Sequence, residues 1–366
     1  KKFKLVSSKK TRYLLPNILT LAGVCLGISS IKFSIDGNFS LAVTLILFAA
    51  ILVFVLAMGP LWLGRADMRL LGEIFYFLAL AQMWNLLAGY GGLVSVGQQA
   101  FIGIGGYLLF ILTINFGVGA VLSIPLAGLI GAIVSLPVAF LVFRLRGHYF
   151  AIGTWVVAEV FLLGFAQVKS LGGGSGMSLP ISIIKSIAPS RAEREATIYL
   201  LALTVVIVVI FGVYALLRSR YGLALTSIRD SEEASSSLGV NNFRIKLLVY
   251  VISAFGTASI GALIYLTKLR ITPSAAFDIN WTTTIIFIVV IGGIGTIEGP
   301  IIGTIIFFLL REPLSEFGSW YLILLGAIAV IIMLKAPQGL WGLLAQRYNL
   351  HFFPVQRRLT VKNEKD

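Results

Sequence analysis

The stretch GYGGLVSVGQQAFIGIGG, residues 89–106, decides how this chain folds, because it interrupts apolar sequence with glycines and polar side chains. A second interruption, GGIGTIEGPIIG, occupies residues 292–303. Each follows one apolar run and precedes a shorter one, which predicts two helix pairs, each divided by a glycine-rich break. Irregular backbone at membrane depth is stable only where protein or a wet cavity surrounds it, and paired breaks are typical of transport paths. The alternative is that the glycines serve close helix packing.

Apolar runs surround both breaks. A membrane-spanning helix needs about 20 mostly apolar residues, and none of the runs alternates with the period of two that marks the strands of outer-membrane barrels. We therefore predict an all-α fold: a polytopic transmembrane helical bundle with two Gly-interrupted helix pairs. The predicted apolar segments are residues 14–35, 41–63, 70–88, 100–116, 118–143, 149–168, 197–217, 247–267, 281–292, 301–310 and 320–334.

The composition agrees with a membrane protein. Of 366 residues, 58% are hydrophobic and 12% charged, against about 45–50% and about 25% in soluble domains. This excludes an ordinary cytosolic enzyme, a disordered chain and a disulfide scaffold. The net charge of +14 fits Lys and Arg on cytoplasmic segments better than nucleic-acid binding. With one cysteine, Cys25, and two distant histidines, His148 and His351, we predict no metal site.

No catalytic motif is present. The chain lacks a G-x-x-x-x-G-K-[ST] phosphate loop, a G-x-S-x-G nucleophile turn and an H-E-x-x-H zinc motif. We predict no catalytic residues and no cofactor. Uphill transport would therefore draw its energy from another subunit or from an ion gradient.

The polar segment RSRYGLALTSIRDSEEASSSLGVNNFRIK, residues 218–246, is basic and is predicted to be cytoplasmic. A short helix is predicted at residues 230–238. Asp230, Glu232 and Glu233 favour a helix N-terminus, and Gly239 is well placed as its C-terminal stop. The helix is either a docking element or an ordinary capped loop.

The sequence Glu233-Ala234-Ser235-Ser236-Ser237-Leu238-Gly239 resembles the E-A-A-x-x-x-G coupling segment of ABC importer permeases, with Ser235 in place of the second alanine. Further blocks resemble the second-type permease of the branched-chain amino acid family, and the resemblance covers about residues 56–343. These blocks are RLRGHYFAIGTWVVAEVF (144–161), LGGGSGMSLP (171–180), IRDSEEASSSLGVNNFRIKL (228–247), IVVIGGIGTIEGPIIG (288–303) and MLKAPQGLWG (333–342).

The resemblance implies a bacterial inner-membrane permease, surrounded by membrane lipid. Its partners would be a second homologous permease subunit, two cytoplasmic ATP-binding subunits and a periplasmic substrate-binding protein. A cytoplasmic coupling helix would dock in a groove of an ATPase. Ala234, Ser235 and Gly239 would keep that surface small, while Glu233 and Arg229 would supply polar contacts at its rim. The full set of coupling residues is Arg229, Asp230, Glu232, Glu233, Ala234, Ser235, Leu238 and Gly239.

Counting spans outward from residues 218–246 puts both breaks toward the cytoplasmic side. It also divides the chain into an N-terminal extension (1–52), a permease domain (53–346) and a basic cytoplasmic tail (347–366). The count places the Lys-rich N-terminus outside, against the charge rule. Residues 12–52 resemble the start of bacterial phosphatidylserine synthases, without the Asp motif of that family. They are a foreign front end, an ordinary extra span, or a segment that does not cross the membrane.

Polar residues within the spans are candidates for the translocation path. Glu159 lies in mid-span, where a carboxylate is costly, so we expect it to face the bundle and to be paired or protonated. A path role and a helix-to-helix hydrogen bond both remain open for it. The path candidates are Ser95, Gln98, Gln99, Thr154 and Glu159; the hinge candidates are Gly89, Gly91, Gly92, Gly97, Gly292, Gly293, Gly295 and Gly299.

Three functions are compatible with these patterns. The first is the permease subunit of an ATP-driven importer for branched-chain or other small amino acids, although relatives of this type also serve urea and short amides. The second is an ion-driven secondary transporter with Glu159 as its proton site. The third, a CDP-alcohol phosphatidyltransferase remnant, rests only on residues 12–52.

Overall fold

The computed structural model describes residues 39–314, 320–336 and 338–348. The predicted apolar segment 14–35, the start of the synthase-like stretch and nearly all of the predicted basic tail lie outside these residues.

Within the described ranges the chain is helical almost throughout, as predicted. The helices are α1 (Phe39–Ala57), α2 (Gly59–Trp62), α3 (Arg65–Asn85), α4 (Gln98–Ile114), α5 (Ala120–Val142), α6 (His148–Gln167), α7 (Ile181–Ile187), α8 (Arg191–Arg218), α9 (Arg220–Asp230), α10 (Glu232–Ser237), α11 (Asn242–Lys268), α12 (Pro273–Ala276), α13 (Ile279–Gly292), α14 (Glu298–Leu314), α15 (Trp320–Lys335) and α16 (Gly339–Tyr348). A two-stranded antiparallel ladder pairs β1 (Met177–Ser178) with β2 (Arg270–Ile271).

Seven helical segments in the described part of the chain are long and apolar enough to cross a membrane. This confirms the predicted all-α polytopic bundle. The 17-residue helix α4 is shorter than these segments, as expected for a helix that follows a break. The predicted segment 41–63 is divided between α1 and α2.

Helices α3 and α11 form the centre of the bundle. In an 18-residue apolar stretch of each span, 83% is buried in the segment that contains α3 and 72% in α11. The corresponding share for α6 is only 17%. Helix α11 packs against α5, α4 and α3, and α3 packs against α8. The two central helices therefore hold the breaks that follow α3 and α13 inside protein.

Helices α4 and α11 touch backbone to backbone. A Cβ atom on Gly105 would lie 1.9 Å from the carbonyl oxygen of Ala258, and one on Gly261 would lie 2.3 Å from that of Ile102. No side chain fits in either gap. For Gly105, which lies in the first glycine-rich stretch, the alternative explanation of close helix packing is therefore correct, and Gly261 of α11 serves the same packing.

A charge cluster joins the first turns of α3 and α8. Glu195 is buried and pairs with Arg69 of α3 and with Arg191, whose Nε lies 3.3 Å from Glu195 Oε1. Helix α8 begins with a capping box, in which the Ser190 hydroxyl accepts a hydrogen bond from the Glu193 amide at 3.1 Å. The Glu195 carboxylate thus balances the charges of two arginines at this end of the bundle.

We predict that Gly261→Ala destabilises the protein, because the added methyl group must displace the backbone of α4. Overpacking of a close-packed interior costs about 1–3 kcal/mol. Thermal unfolding of the purified protein in detergent, followed by tryptophan fluorescence, measures the loss.

Gly212→Ala is the matched control for this variant. A Cβ atom on Gly212, within α8, meets no atom within 4 Å, and alanine has the better helix propensity. The control should unfold at or slightly above the wild-type temperature. An unchanged unfolding temperature for Gly261→Ala would contradict the backbone contact.

Candidate functional site

The first break follows α3. The helix widens into a π-helical turn, Leu86–Tyr90, a geometry found frequently at functional sites. Residues 91–97 are then irregular until α4 begins at Gln98. The predicted interruption is present, and the second helix starts two residues before the predicted segment 100–116.

The second break separates α13 from α14. Helix α13 ends at Gly292, and α14 begins at Glu298. Between them Gly295 has a φ of +78°, which strains any residue with a side chain. The predicted hinge glycines all lie in or beside the two breaks: Gly89, Gly91, Gly92, Gly97, Gly292, Gly293, Gly295 and Gly299.

The two breaks are in direct contact. The Asn85 side chain bridges them: its Oδ1 accepts a hydrogen bond from the Gly295 amide at 2.9 Å, and its Nδ2 donates to the Thr296 carbonyl at 2.8 Å. Gln82, one turn earlier on α3, donates to the Ile297 carbonyl at 2.7 Å. Both side chains are fully buried. The side-chain amides of α3 thus make hydrogen bonds with three backbone groups of the second break.

The approach at this junction is as close as the backbone allows. A Cβ atom on Gly89 would lie 2.5 Å from the Gly295 nitrogen. Gly89 therefore serves close packing as well as the break. We refer to residues 85–92 and 293–297 together as the break junction.

Four of the five predicted path residues gather around the start of α4, and all four are buried. The Thr154 hydroxyl of α6 accepts a hydrogen bond from the Val96 amide at 3.0 Å, and the Ser95 hydroxyl accepts one from the Gly97 amide at 3.2 Å. The Trp84 indole donates to the Ser95 carbonyl at 2.7 Å.

The two glutamines at the start of α4 face two other helices. Thr257 of α11 donates to Gln98 Oε1 at 3.2 Å. The Thr282 hydroxyl of α13 accepts a hydrogen bond from the backbone N–H of Gln99 at 3.1 Å. The same hydroxyl donates to the side-chain oxygen Gln99 Oε1. The Gln99 Nε2 atom is buried and has no hydrogen-bond partner. The sequence analysis missed Thr257 and Thr282; the only available signal was a hydroxyl within an apolar run.

Glu159 does not join this cluster. It lies half-exposed on α6 and accepts a hydrogen bond at 3.1 Å from the indole of Trp155, which is itself 42% exposed. The expectation that Glu159 faces the bundle of its own chain is therefore wrong. Across residues 39–314, 320–336 and 338–348, no group of three or more His, Cys, Asp or Glu side chains could hold a metal ion.

The predicted helix 230–238 is shorter in the structure. Asp230 is the last residue of α9, so its expected position at a helix N-terminus is wrong. The extended residue Ser231 divides α9 from α10 and caps α10, because its hydroxyl accepts from the Ala234 amide at 3.2 Å. Gly239 ends the segment with a φ of +84°, which agrees with the predicted stop.

Helix α10 presents most of the motif to solvent but not all of it. Glu233, Ala234 and Gly239 are exposed, and Leu238 is 81% exposed. Ser235 is buried instead and donates to Asn242 Oδ1 at 2.8 Å. The expectation that Ser235 forms part of the small docking surface is wrong.

Two contacts fasten α10 to the start of α11. Asn242 Nδ2 donates to the Glu232 carbonyl at 2.8 Å. Lys246 pairs with the Glu232 carboxylate. Glu232 is therefore both exposed and engaged within its own chain.

Arg229 is exposed, as a position at a docking rim requires, but its guanidinium also reaches into the protein, which the sequence did not predict. Its Nη1 donates to the Gly89 carbonyl at 3.0 Å, and its Nε lies 3.3 Å from Asp230 Oδ1. A Cβ atom on Gly295 would lie 3.3 Å from the same Nη1. The predicted coupling segment therefore touches both halves of the break junction.

We predict that Asn85→Leu loosens the second break while the bundle stays folded. Leucine has a similar volume but leaves the Gly295 amide and the Thr296 carbonyl without their partner, at a cost of about 1–3 kcal/mol. Hydrogen–deuterium exchange of peptides covering residues 292–299 should become faster.

Asn115→Leu provides the matched control. Asn115 is exposed at the C-terminal end of α4, and the same substitution there should leave exchange at residues 292–299 unchanged. Equal exchange in Asn85→Leu and wild type would show that Asn85 does not hold the junction.

Comparison with known proteins identifies the family. Residues 67–333 match a family model described as branched-chain amino acid transport system / permease component. The chain is 28% identical over 316 residues to the high-affinity branched-chain amino acid transport system permease protein LivM of Salmonella typhimurium, covering 80% of this chain and 74% of that one. It is 30% identical over 299 residues to LivM of Escherichia coli, covering 76% and 70%.

A more distant relative has a different substrate in its name. The fructose import permease protein FruG of Bifidobacterium longum is 23% identical over 309 residues, covering 78% of this chain and 88% of that one. No solved structure matches the chain significantly. The family model spans well over half of the sequence, and this chain belongs to the branched-chain amino acid permease family of multi-pass membrane proteins.

Proposed function

We propose that this chain is the permease subunit of an ATP-driven importer in the bacterial inner membrane, with a branched-chain or other small amino acid as substrate. The observation that carries the proposal is the exposed helix α10, which follows α9 after the single residue Ser231, while Arg229 of α9 bonds to Gly89 in the first break. A docking element next to irregular backbone is the arrangement expected where partner motion reaches a transport path. LivM relatives support the substrate class, and FruG indicates that the scaffold is not restricted to it.

In this function α10 docks on a cytoplasmic ATPase. Leu238 supplies an apolar anchor, because it is 81% exposed and buried leucine side chains contribute about 1.5–3 kcal/mol each. Ala234 and Gly239 allow close approach, and Glu233 provides a charge at the edge. Hydrolysis on the partner then drives alternating access in this chain, which has no catalytic residue of its own.

The polar cluster at the start of α4 is the proposed path lining. Ser95, Gln98, Gln99 and Thr154 offer neutral amides and hydroxyls, which can contact both charges of an amino-acid zwitterion. Neutral groups hold such a substrate weakly enough for it to leave again, as transport requires. The unpartnered Gln99 Nε2 atom provides a donor for this purpose.

The position of Glu159 on α6 supports the proposal that a second permease subunit packs against this chain. Its face of α6 is otherwise apolar, with Ile152 54% exposed and Val160 62% exposed. A carboxylate on a lipid-facing surface is costly, so protein or water should cover this face in the assembled transporter. A homologous second permease is the proposed cover, with two ATPases and a periplasmic binding protein completing the complex.

We keep the domain division proposed from the sequence as part of this proposal. The family match at residues 67–333 falls inside the proposed permease domain 53–346. Residues 1–52 remain a proposed N-terminal extension, and residues 347–366 a proposed cytoplasmic tail.

We predict that Leu238→Asp combined with Glu233→Arg prevents the ATPase subunits from co-purifying in mild detergent. The double change replaces an apolar anchor by a charge and reverses a second charge on the docking face. The measured quantity is the molar ratio of ATPase to permease after affinity purification of the co-expressed transporter.

The control for the docking variant is Phe116→Asp, which places the same charge on an apolar residue that is 72% exposed in the loop after α4. This variant should retain the wild-type ratio. If the α10 double variant also retains the wild-type ratio, the docking assignment is wrong.

We also predict that the purified chain alone does not transport amino acids into vesicles under a proton gradient, whereas the complete transporter imports them with ATP. Accumulation by the lone chain, abolished by Glu159→Gln, would favour the ion-driven alternative.

A further inference from the structure

We infer that Arg229 is the positioning residue that transmits movement of the coupling helix to both backbone breaks. The inference rests on the proposed function and deepens it. It adds an inward contact to the rim position expected from sequence, and it names the atoms through which α10 and the break junction are connected.

The connection passes through a short series of contacts. Arg229 lies in the last turn of α9, which ends at Asp230. Only Ser231 separates α9 from α10. The guanidinium reaches the Gly89 carbonyl at 3.0 Å. Gly89 in turn abuts Gly295, since a Cβ atom on Gly89 would lie 2.5 Å from the Gly295 nitrogen. A displacement of α10 that carries α9 with it therefore changes the position of both breaks.

The side chain is fitted to this place. A Cβ atom on Gly92 would lie 3.7 Å from Arg229 Cγ, and one on Gly295 would lie 3.3 Å from Nη1. A methyl group on Gly92 would make ordinary contact with the arginine stem, whereas one on Gly295 would crowd the head group. Arginine presents several donors in a rigid planar fork, which lysine lacks. The charge is balanced by Asp230, at 3.3 Å.

A second route from α10 exists and must be distinguished. Asn242 and Lys246 fasten α10 to α11, and α11 packs against α3, α4 and α5. If that route carried the movement, Arg229 would be dispensable for coupling. The two routes differ in their residues, so substitution separates them.

The test uses the complete transporter reconstituted in vesicles, with ATP hydrolysis and amino-acid uptake measured in the same sample. For Arg229→Gln we expect the ATPase subunits to remain bound and the rate of ATP hydrolysis to stay within about twofold of wild type. Uptake per ATP should fall about tenfold, a factor that lies within the usual range for coupling between two sites. Arg229→Lys should restore part of the uptake, because it keeps the positive charge and a long side chain that can still donate to the Gly89 carbonyl.

Arg218→Gln is the matched control. Arg218 also lies in the basic segment, but its Nη1 donates to Tyr214 on its own helix at 3.1 Å. Its uptake per ATP should equal that of wild type. If the Arg229→Gln permease does not fold, Arg229→Lys carries the test with the same readout.

Three outcomes would overturn the inference. Unchanged uptake per ATP in Arg229→Gln would show that the α11 route suffices. Loss of the ATPase subunits would show that Arg229 belongs to the docking face. An equal loss of uptake in Arg218→Gln would show a general effect of charge. Failure of the proposed function looks different, since the wild-type complex would then show no ATP-dependent uptake.

A distance measurement provides a readout that folding defects do not imitate. Spin labels at Ser236 on α10 and Ile294 in the second break, both exposed, report whether the two move together. In wild type the distance should be the same with and without ATP. In Arg229→Gln it should change when ATP binds, and an unchanged distance there would contradict the link.

Discussion

The hydrogen bonds from the Asn85 side chain to the second break are the interaction on which the rest of this structure depends. The contact between the two breaks is buried, with Asn85 0% exposed, although Val94 and Ile294 nearby are exposed, and an unsatisfied backbone group in a buried place costs several kcal/mol. The Asn85 side chain carries an accepting oxygen and a donating amino group, and it uses them on adjacent residues, Gly295 and Thr296. Gln82 also donates to the Ile297 carbonyl. One face of α3 thus supplies hydrogen-bond partners for the irregular backbone between α13 and α14. The glycines make this contact possible, because any Cβ atom on Gly89 would collide with Gly295.

The sequence predicted those features that depend on local composition. Apolar runs placed the helices, and glycine clusters placed both breaks, since a chain without side chains at those points cannot continue a membrane helix at low cost. The count of spans put the two breaks toward one side, and in the structure they touch. The family resemblance, drawn from blocks such as residues 288–303, agrees with the match over residues 67–333.

The sequence did not predict the direction in which side chains point once the helices have packed together. Ser235 and Glu159 were each assigned to the correct segment, but the direction of each side chain was wrong, and the inward contact of Arg229 was not predicted. A one-residue extension at Ser231 rotates α10 relative to α9, which turns Ser235 inward and leaves Arg229 facing Gly89. Thr257 and Thr282 belong to the polar cluster only because α11 and α13 both pack at the start of α4. No pattern within a single segment contains that information.

The central claim is that the two breaks move as one unit and that α10 is connected to that unit. The most direct test is a structure of the complete transporter with and without bound ATP, at a resolution that shows side chains. We predict that Asn85 contacts Gly295 and Thr296 in both states, and that Arg229 stays on the Gly89 carbonyl while the surrounding helices shift. A structure in which the two breaks separate and Asn85 loses both partners would contradict the account.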